Sequence, residues 1–235
     1  DTLSLHDALP IWDVFIPSNG WLGTIETDSL PIYLNIDRLN PENALSINIE
    51  KLKIHGINPF TDKTIVGLYQ VQDFGAVFTD DFELSTSFRN DFKSGNSPCQ
   101  MAQLIILSED GPIALPVCNI GCVSEISLFA FNKQVDGKKN DLSNFGVNYT
   151  DYVQMECTSR NQKLTITING KPAYTFDVPK PKSKIIGVCF FFEGAGTIKN
   201  ITLKKDDRII YDSKIWPKSF FYQSLKTWSK KLLGL

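Results

Sequence analysis

Between residues 82 and 89 the chain alternates strictly, with Phe82, Leu84, Thr86 and Phe88 set against Glu83, Ser85, Ser87 and Arg89. Successive side chains of a strand point to opposite faces, so this reads as a strand with one buried and one wet face. Leu164, Ile166 and Ile168 repeat the pattern in KLTITI. Leu45, Ile47 and Ile49 begin another run that resumes at Leu52 and Ile54 in a new register, which predicts a bulge or a bend. Ile198, Ile201 and Leu203 lie in TIKNITLKK, followed by Ile209, Ile210 and Tyr211. Three other stretches, residues 103–107, 122–131 and 185–192, are more uniformly apolar and read as strands covered on both faces. Turn signals separate the runs: Ser94-Gly95-Asn96, Asp110-Gly111-Pro112, Asp136-Gly137, Asn169-Gly170 and Asp206-Asp207. The Asn169-Gly170 pair is the clearest hairpin, because both residues tolerate the positive φ of a type I′ turn. Short strands with frequent turns and little helical periodicity predict an all-β chain, a sandwich or a barrel.

The C-terminus breaks this rhythm. In residues 219–235, SFFYQSLKTWSKKLLGL, helical spacing puts Phe221, Leu225, Trp228 and Leu232 on one face, with Lys226, Lys230 and Lys231 alongside. An amphipathic helix starting after Pro217 is expected over 217–235. It would dock on the domain, or meet a partner or a membrane surface through its modest basic face. The sandwich proper is expected over 71–216, with 12–70 supplying N-terminal strands that join it or form a small separate layer.

Residues 2–11, TLSLHDALPI, match one reading frame of a common short-read sequencing adapter. Residues 1–11 are therefore expected to be non-native, as a fusion scar would be, and His6 is set aside. The start at Asp1 then marks a break, and an upstream signal peptide or membrane anchor could have been lost with it. An extracytoplasmic or membrane-anchored location is favoured in that case. The sequence contains no apolar run of 18 residues, so a membrane would be reached through such an anchor or weakly through the C-terminal helix.

Composition narrows the picture. The chain has 235 residues, 24 Lys+Arg and 26 Asp+Glu, for a net charge of −2; without Asp1 and Asp7 the balance is 24 to 24. Neither balance gives an electrostatic reason to expect nucleic acid. Hydrophobic residues at 42%, with 16 Phe, are enough for a sizeable core and exclude a disordered chain. Two His and five Cys limit imidazole bases and metal ligands.

From Asp80 onward, three stretches resemble the concanavalin A-like lectin/glucanase superfamily, the laminin-G-like jelly rolls. TDDFELSTSFRNDFKSGNSP is similar to an early strand of such domains, more narrowly to that of the 3-keto-disaccharide hydrolase-like group. KLTITINGKPAYTF is similar to their Asn-Gly hairpin, and IIGVCFFFEGAGTIKNITLKK to their closing strands. Together they span a little over half of the chain. The resemblance implies a jelly-roll antiparallel β-sandwich, a fold that carries binders, hydrolases and structural modules alike. It also implies where a glucanase would hold its acids, in Glu-x-Asp-x-Glu on one strand. That motif is absent. Asp80-Asp81-Phe82-Glu83 comes nearest, and it is read as solvent-facing, with Asp80 and Asp81 as calcium candidates.

Other chemistry is sparse. His55, in KIHGINP, has no nucleophile motif around it and reads as a loop histidine. Cys118-x3-Cys122 lacks the second pair that zinc needs. Cys99 could pair with Cys118 or with Cys122 if the domain is exported, whereas Cys157 and Cys189 read as small core residues. Glu193-Gly-Ala-Gly-Thr197 reads as a turn between strands, because no helix follows to offer its N-terminus to a phosphate. A sugar would need exposed aromatics, with amides and acids for its hydroxyls. Trp21, Tyr33 and Phe145 are available, and Asn144, Asn148, Tyr149, Asp151 and Tyr152 are the expected binding rim. Aromatics that merely close the sandwich edge are the alternative for this stretch. Three functions are compatible with these features. One is a non-catalytic carbohydrate-binding or adhesion-type module of a longer protein. The second is a glycoside-cleaving enzyme using at least two of Asp80, Asp81, Glu83 and Glu193. The third is an interaction domain whose C-terminal helix engages a protein.

Overall fold

The structure, a computed structural model, describes residues 21–25, 32–34, 36–39, 44–47, 65–71, 74–91, 99–148, 151–194 and 196–213. The expected helix over 217–235, the segment 1–11 and His55 lie outside the described residues. In chain order the strands are β1 (Trp21–Ile25), β2 (Ile32–Leu34), β3 (Ile36–Leu39), β4 (Ala44–Ile47), β5 (Ile65–Val71), β6 (Phe82–Asn90), β7 (Met101–Ser108) and β8 (Gly111–Cys118). They continue as β9 (Ser127–Ala130), β10 (Lys133–Asp136), β11 (Val153–Arg160), β12 (Lys163–Ile168), β13 (Lys171–Asp177), β14 (Ile185–Glu193), β15 (Gly196–Lys205) and β16 (Arg208–Asp212).

These strands make two antiparallel sheets. The first runs β10-β9-β8-β7-β14-β5-β1-β2; the second runs β13-β12-β11-β6-β15-β4-β3, with β16 added beside β15. Each sheet turns an apolar face inward, and the two inner faces close on one core. From β6 it takes Phe82, Leu84 and Phe88, from β14 Phe190 and Phe192, from β7 Leu104 and Ile106, and from β12 Leu164 and Ile166, all at most 1% exposed. At its centre the Phe88 ring lies 5.8 Å from that of Phe190 and 6.5 Å from that of Phe192, in the tilted and edge-on arrangements that aromatic quadrupoles favour. Gly196 opens β15 where a Cβ would come within 2.1 Å of the Phe192 ring, so only a residue without a side chain fits.

The Asn169-Gly170 hairpin forms as expected, with φ of 49° and 76°. Asn161-Gln162 and Asp206-Asp207 make similar left-handed pairs, and so does Phe131-Asn132, where a bulky residue takes φ of 53°. One expected strand is corrected: residues 122–131 do not form a continuous strand. Residues Ile120–Glu125 form a 3-10 turn and extended structure begins at Ser127. A disulfide between Cys99 and Cys122 anchors that turn, and Gly137 and Gly146 pack against its backbone where a side chain would collide.

One end of the sandwich is laced by buried hydroxyls. Ser159 Oγ donates to the Thr79 carbonyl at 2.6 Å, the Ser183 amide donates to Thr79 Oγ1 at 3.1 Å, and the Asp110 amide donates to Ser183 Oγ at 2.9 Å. Thr79, Ser159 and Ser183 are nearly inaccessible, and each hydroxyl answers a backbone group that burial would otherwise leave unpaired.

Candidate functional site

The alternation that sends Phe82, Leu84 and Phe88 inward sends Glu83, Ser85, Ser87 and Arg89 outward, and the neighbouring strands follow in register. Lys199, Ser87 and Gln154 form one cross-strand row. Thr202, Ser85, Glu156 and Thr167 form the next. Lys204, Glu83, Thr158, Thr165 and Thr175 form a third. With strands about 4.8 Å apart and alternate residues about 6.7 Å apart, the rows make a polar grid of about 19 Å by 13 Å. Hydroxyls dominate it, and the Gln154 side chain donates to Glu156 at 2.6 Å.

Charged clusters bound the grid at both ends. At one, Arg160 donates to Glu83 at 2.5 Å and to Asp207 at 3.3 Å. At the other, Tyr152 enters β11 with its ring beside two cations: Lys199 Nζ lies 3.4 Å and Arg89 Cζ 4.7 Å from its centroid. Both cations are drawn to the negative face of the ring. Arg89 Nε also donates to Asp91 at 2.8 Å, and Asp91 accepts a hydrogen bond from the buried Thr197 hydroxyl.

The expected rim divides. Tyr152 faces the grid, half-buried. Asn148 and Asp151 are exposed beside it and joined by a 3.0 Å hydrogen bond. Tyr149 lies outside the described residues. Asn144 is elsewhere: its amide donates to the Pro172 carbonyl at 2.8 Å and so caps the edge strand β13. Asp141, at the start of the same loop, accepts the Ser143 amide at 3.0 Å, and that bond holds its carboxyl below the usual range. Phe145, counted among the available aromatics, is fully buried in a 3-10 turn and cannot touch a ligand. β1 carries Trp21 and β2 carries Tyr33; their side chains lie outside the described residues. Sequence reasoning missed Arg89, Lys199 and Gln154. The signal for them was present, since each occupies an outward position of an alternating strand.

The carboxylates do not assemble into one site. Asp80, Asp81 and Glu83 stand at the start of β6, whereas the Glu193 carbonyl accepts from the Asn90 amide at the far end of that strand. Seven residues of strand separate the two places by about 23 Å. Two carboxyls flanking a glycosidic bond stand about 5–10 Å apart, so Glu193 cannot pair with the other three. The Glu193 carboxylate itself accepts the Met101 amide at 3.3 Å.

Asp80 lies 3.9 Å from Lys182, and both line a cavity of about 310 Å³ together with Pro179 and Pro181. Burial and the nearby Asp206 and Asp80 raise the Asp81 carboxyl above its ordinary value, against a smaller lowering from Lys205. Among the described residues no three His, Cys, Asp or Glu side chains are grouped to hold a metal ion.

The two antiparallel sheets, packed on one core, form the all-β sandwich that the alternation of the sequence predicts. Neither a protein-family model nor a curated protein matches the chain. Similar solved structures include the alginate lyase AlyC3, at 12% identity, covering 79% of this chain and 90% of that one, with a TM-score of 0.46. Carbohydrate-binding module CBM66 from Bacillus subtilis is similar at 9% identity, covering 81% and 99%, with a TM-score of 0.45. The Emp47p carbohydrate recognition domain is similar at 13% identity, covering 83% and 92%, with a TM-score of 0.42.

Proposed function

We propose that this domain is a non-catalytic carbohydrate-binding module and that the grid on the second sheet is its binding face. The grid itself carries the reading. Ser85, Ser87, Thr158, Thr165, Thr167 and Thr175 present short hydroxyls in register, each able to donate and accept, beside the Gln154 amide. A saccharide offers the complementary hydroxyls along its length. Short side chains lose little rotamer freedom on contact, so a broad polar ligand is bound at low entropic cost. Tyr152, with Asn148 and Asp151 beside it, borders the face, and Tyr149 belongs to the same stretch of sequence. Because Lys199 and Arg89 already lie against its ring, Tyr152 acts as a fixed wall in this reading. The sequence resemblance to the concanavalin A-like family supports the same ligand class. The roughly 23 Å between Glu193 and the other acids removes Glu193 from any catalytic pair and leaves the glycoside-cleaving alternative only Asp80, Asp81 and Glu83.

Affinity electrophoresis and calorimetry against a panel of neutral and acidic polysaccharides test the proposal. Ser87→Trp and Thr158→Tyr plug the grid at outward positions and should weaken retention at least tenfold while leaving the melting temperature unchanged. Tyr149→Ala and Tyr152→Ala should weaken it less. Retention by no polysaccharide, or retention indifferent to all four substitutions, would sink the proposal.

A further inference from the structure

The polar rows of the grid do not stop at Ser87. Thr197 pairs with Arg89 across β15 and β6, and Tyr152, one residue before the Val153↔Phe88 pair, falls beside Arg89 on the other side. Thr197, Arg89 and Tyr152 therefore form a fourth row. Asp91 stands one outward position beyond it on the line of β6, since the intervening Asn90 is buried. One carboxylate oxygen of Asp91 accepts from Arg89 Nε at 2.8 Å, and the other accepts from the Thr197 hydroxyl. Thr197 is fully buried, so its hydroxyl is a fixed donor. The Arg89 and Asp91 side chains are only 27% and 21% exposed. Water and salt screen this pair less than the bond of Arg160 to Asp207, where the acid is 88% exposed.

We propose that Asp91 is a positioning residue for the Tyr152 wall, acting through Arg89. The inference rests on the carbohydrate-binding reading and gives that site a residue that itself touches no ligand. The order of contacts carries it. A long arginine side chain samples many rotamers, and ordering it costs entropy. The Asp91 carboxylate, itself held by Thr197, fixes the guanidinium end of Arg89 before any ligand arrives. The guanidinium carbon then lies 4.7 Å from the Tyr152 ring centroid, where the negative face of the ring attracts it. Lys199 lies closer, at 3.4 Å, but it has no acidic partner among the described residues, and its flexible stem lets it follow the ring. Arg89 is thus the anchored cation of the two. A wall set in place beforehand lowers the ordering cost of binding.

Two measurements on the full-length chain separate this role from a merely structural one. In nuclear magnetic resonance spectra of ring-labelled tyrosine, the Tyr152 signal, assigned through Tyr152→Phe, should shift in Asp91→Ala and in Thr197→Val. The Tyr174 and Tyr211 signals should stay in place. Affinity electrophoresis against a polysaccharide that the parent retains then supplies a double-mutant cycle. Asp91→Ala should weaken retention about threefold, no more than Tyr152→Ala does, and should change nothing in the Tyr152→Ala background. Thr197→Val keeps both Arg89 and Asp91, should act in the same direction, and decides the matter if Asp91→Ala does not fold. A Tyr152 signal that stays put in both variants overturns the proposal. So does a loss of retention that persists in full when Tyr152 is already alanine, because Asp91 would then act by another route. If no polysaccharide is retained, the binding reading falls and takes the positioning role with it, even where the ring signal has moved.

Discussion

Cutting the Cys99–Cys122 disulfide removes a cross-link between residues 23 apart in sequence. The bond ties the chain entering β7 to the 3-10 turn beyond β8, and Cys122 is 4% exposed. In the folded protein this turn is also held by packing against Gly137 and Gly146, so losing the bond need not move it. The cost falls on the unfolded chain, which regains the entropy of an open loop. For a loop of this length the chain-entropy relation gives about 3.4 kcal/mol at 25 °C. With a urea dependence of about 2 kcal/mol per molar, the midpoint should fall by about 1.7 M. The measurement is urea denaturation of the parent with and without a phosphine reductant, beside the Cys99→Ser/Cys122→Ser variant. In denaturant without reductant the parent should show three reactive thiols, from Cys118, Cys157 and Cys189. A parent with five thiols has no such bond. Coincident oxidised and reduced curves, with the thiol count confirming reduction, would refute the entropic reasoning.

Gly196→Ala should cost about 1–3 kcal/mol, because the new methyl meets the fully buried Phe192 ring and neither can withdraw; thermal denaturation reads this directly. Gln162→Gly should stabilise by about 0.5–1 kcal/mol, since an exposed side chain at φ of 60° is relieved and the Val178-to-Gln162 backbone hydrogen bond survives. Asp81 has a carboxyl pKa raised by burial and by Asp206, so its ionisation costs stability as pH rises through the folded value. Asp81→Asn should therefore raise the urea midpoint at pH 7, with the gain vanishing as pH falls below the carboxylate range; a gain that persists at low pH would exclude this cause. Ser159→Ala leaves the buried Thr79 carbonyl without its 2.6 Å donor and should cost about 1–3 kcal/mol by the same melt.

Alternation made much of the sandwich legible before any coordinates. Residues 82–89 carry their two faces in the order of their side chains, and Asn169-Gly170 carries its turn in its φ preferences. Both are properties of adjacent residues. The stretch 122–131 misled because its apolar character says nothing of the backbone path, which the bond to Cys99 and the close approach of Gly137 and Gly146 decide. Cys157 and Cys189 looked alike, as small residues in apolar strands. They lie on opposite faces of their sheets, since β14 is apolar on both of its faces and its alternation carries no sign of direction.

The candidate site was legible in its parts and hidden in its assembly. Arg89, Tyr152 and Lys199 come from three distant stretches and meet because β6 pairs with β11 on one side and β15 on the other. Its neighbours in sequence group Asn144 with the rim, and its bond to the Pro172 carbonyl, which caps β13, depends on an edge strand that no local pattern around residue 144 announces. By itself the sequence determined local geometry: which residues alternate, where the chain turns, how much apolar surface must be hidden. The tertiary structure decided which strands became neighbours, and hence which hydroxyls form rows, which acids stand apart and which thiols share a bond. Pairing between strands is a long-range choice, made by the joint burial of two faces, and no short stretch of sequence contains it.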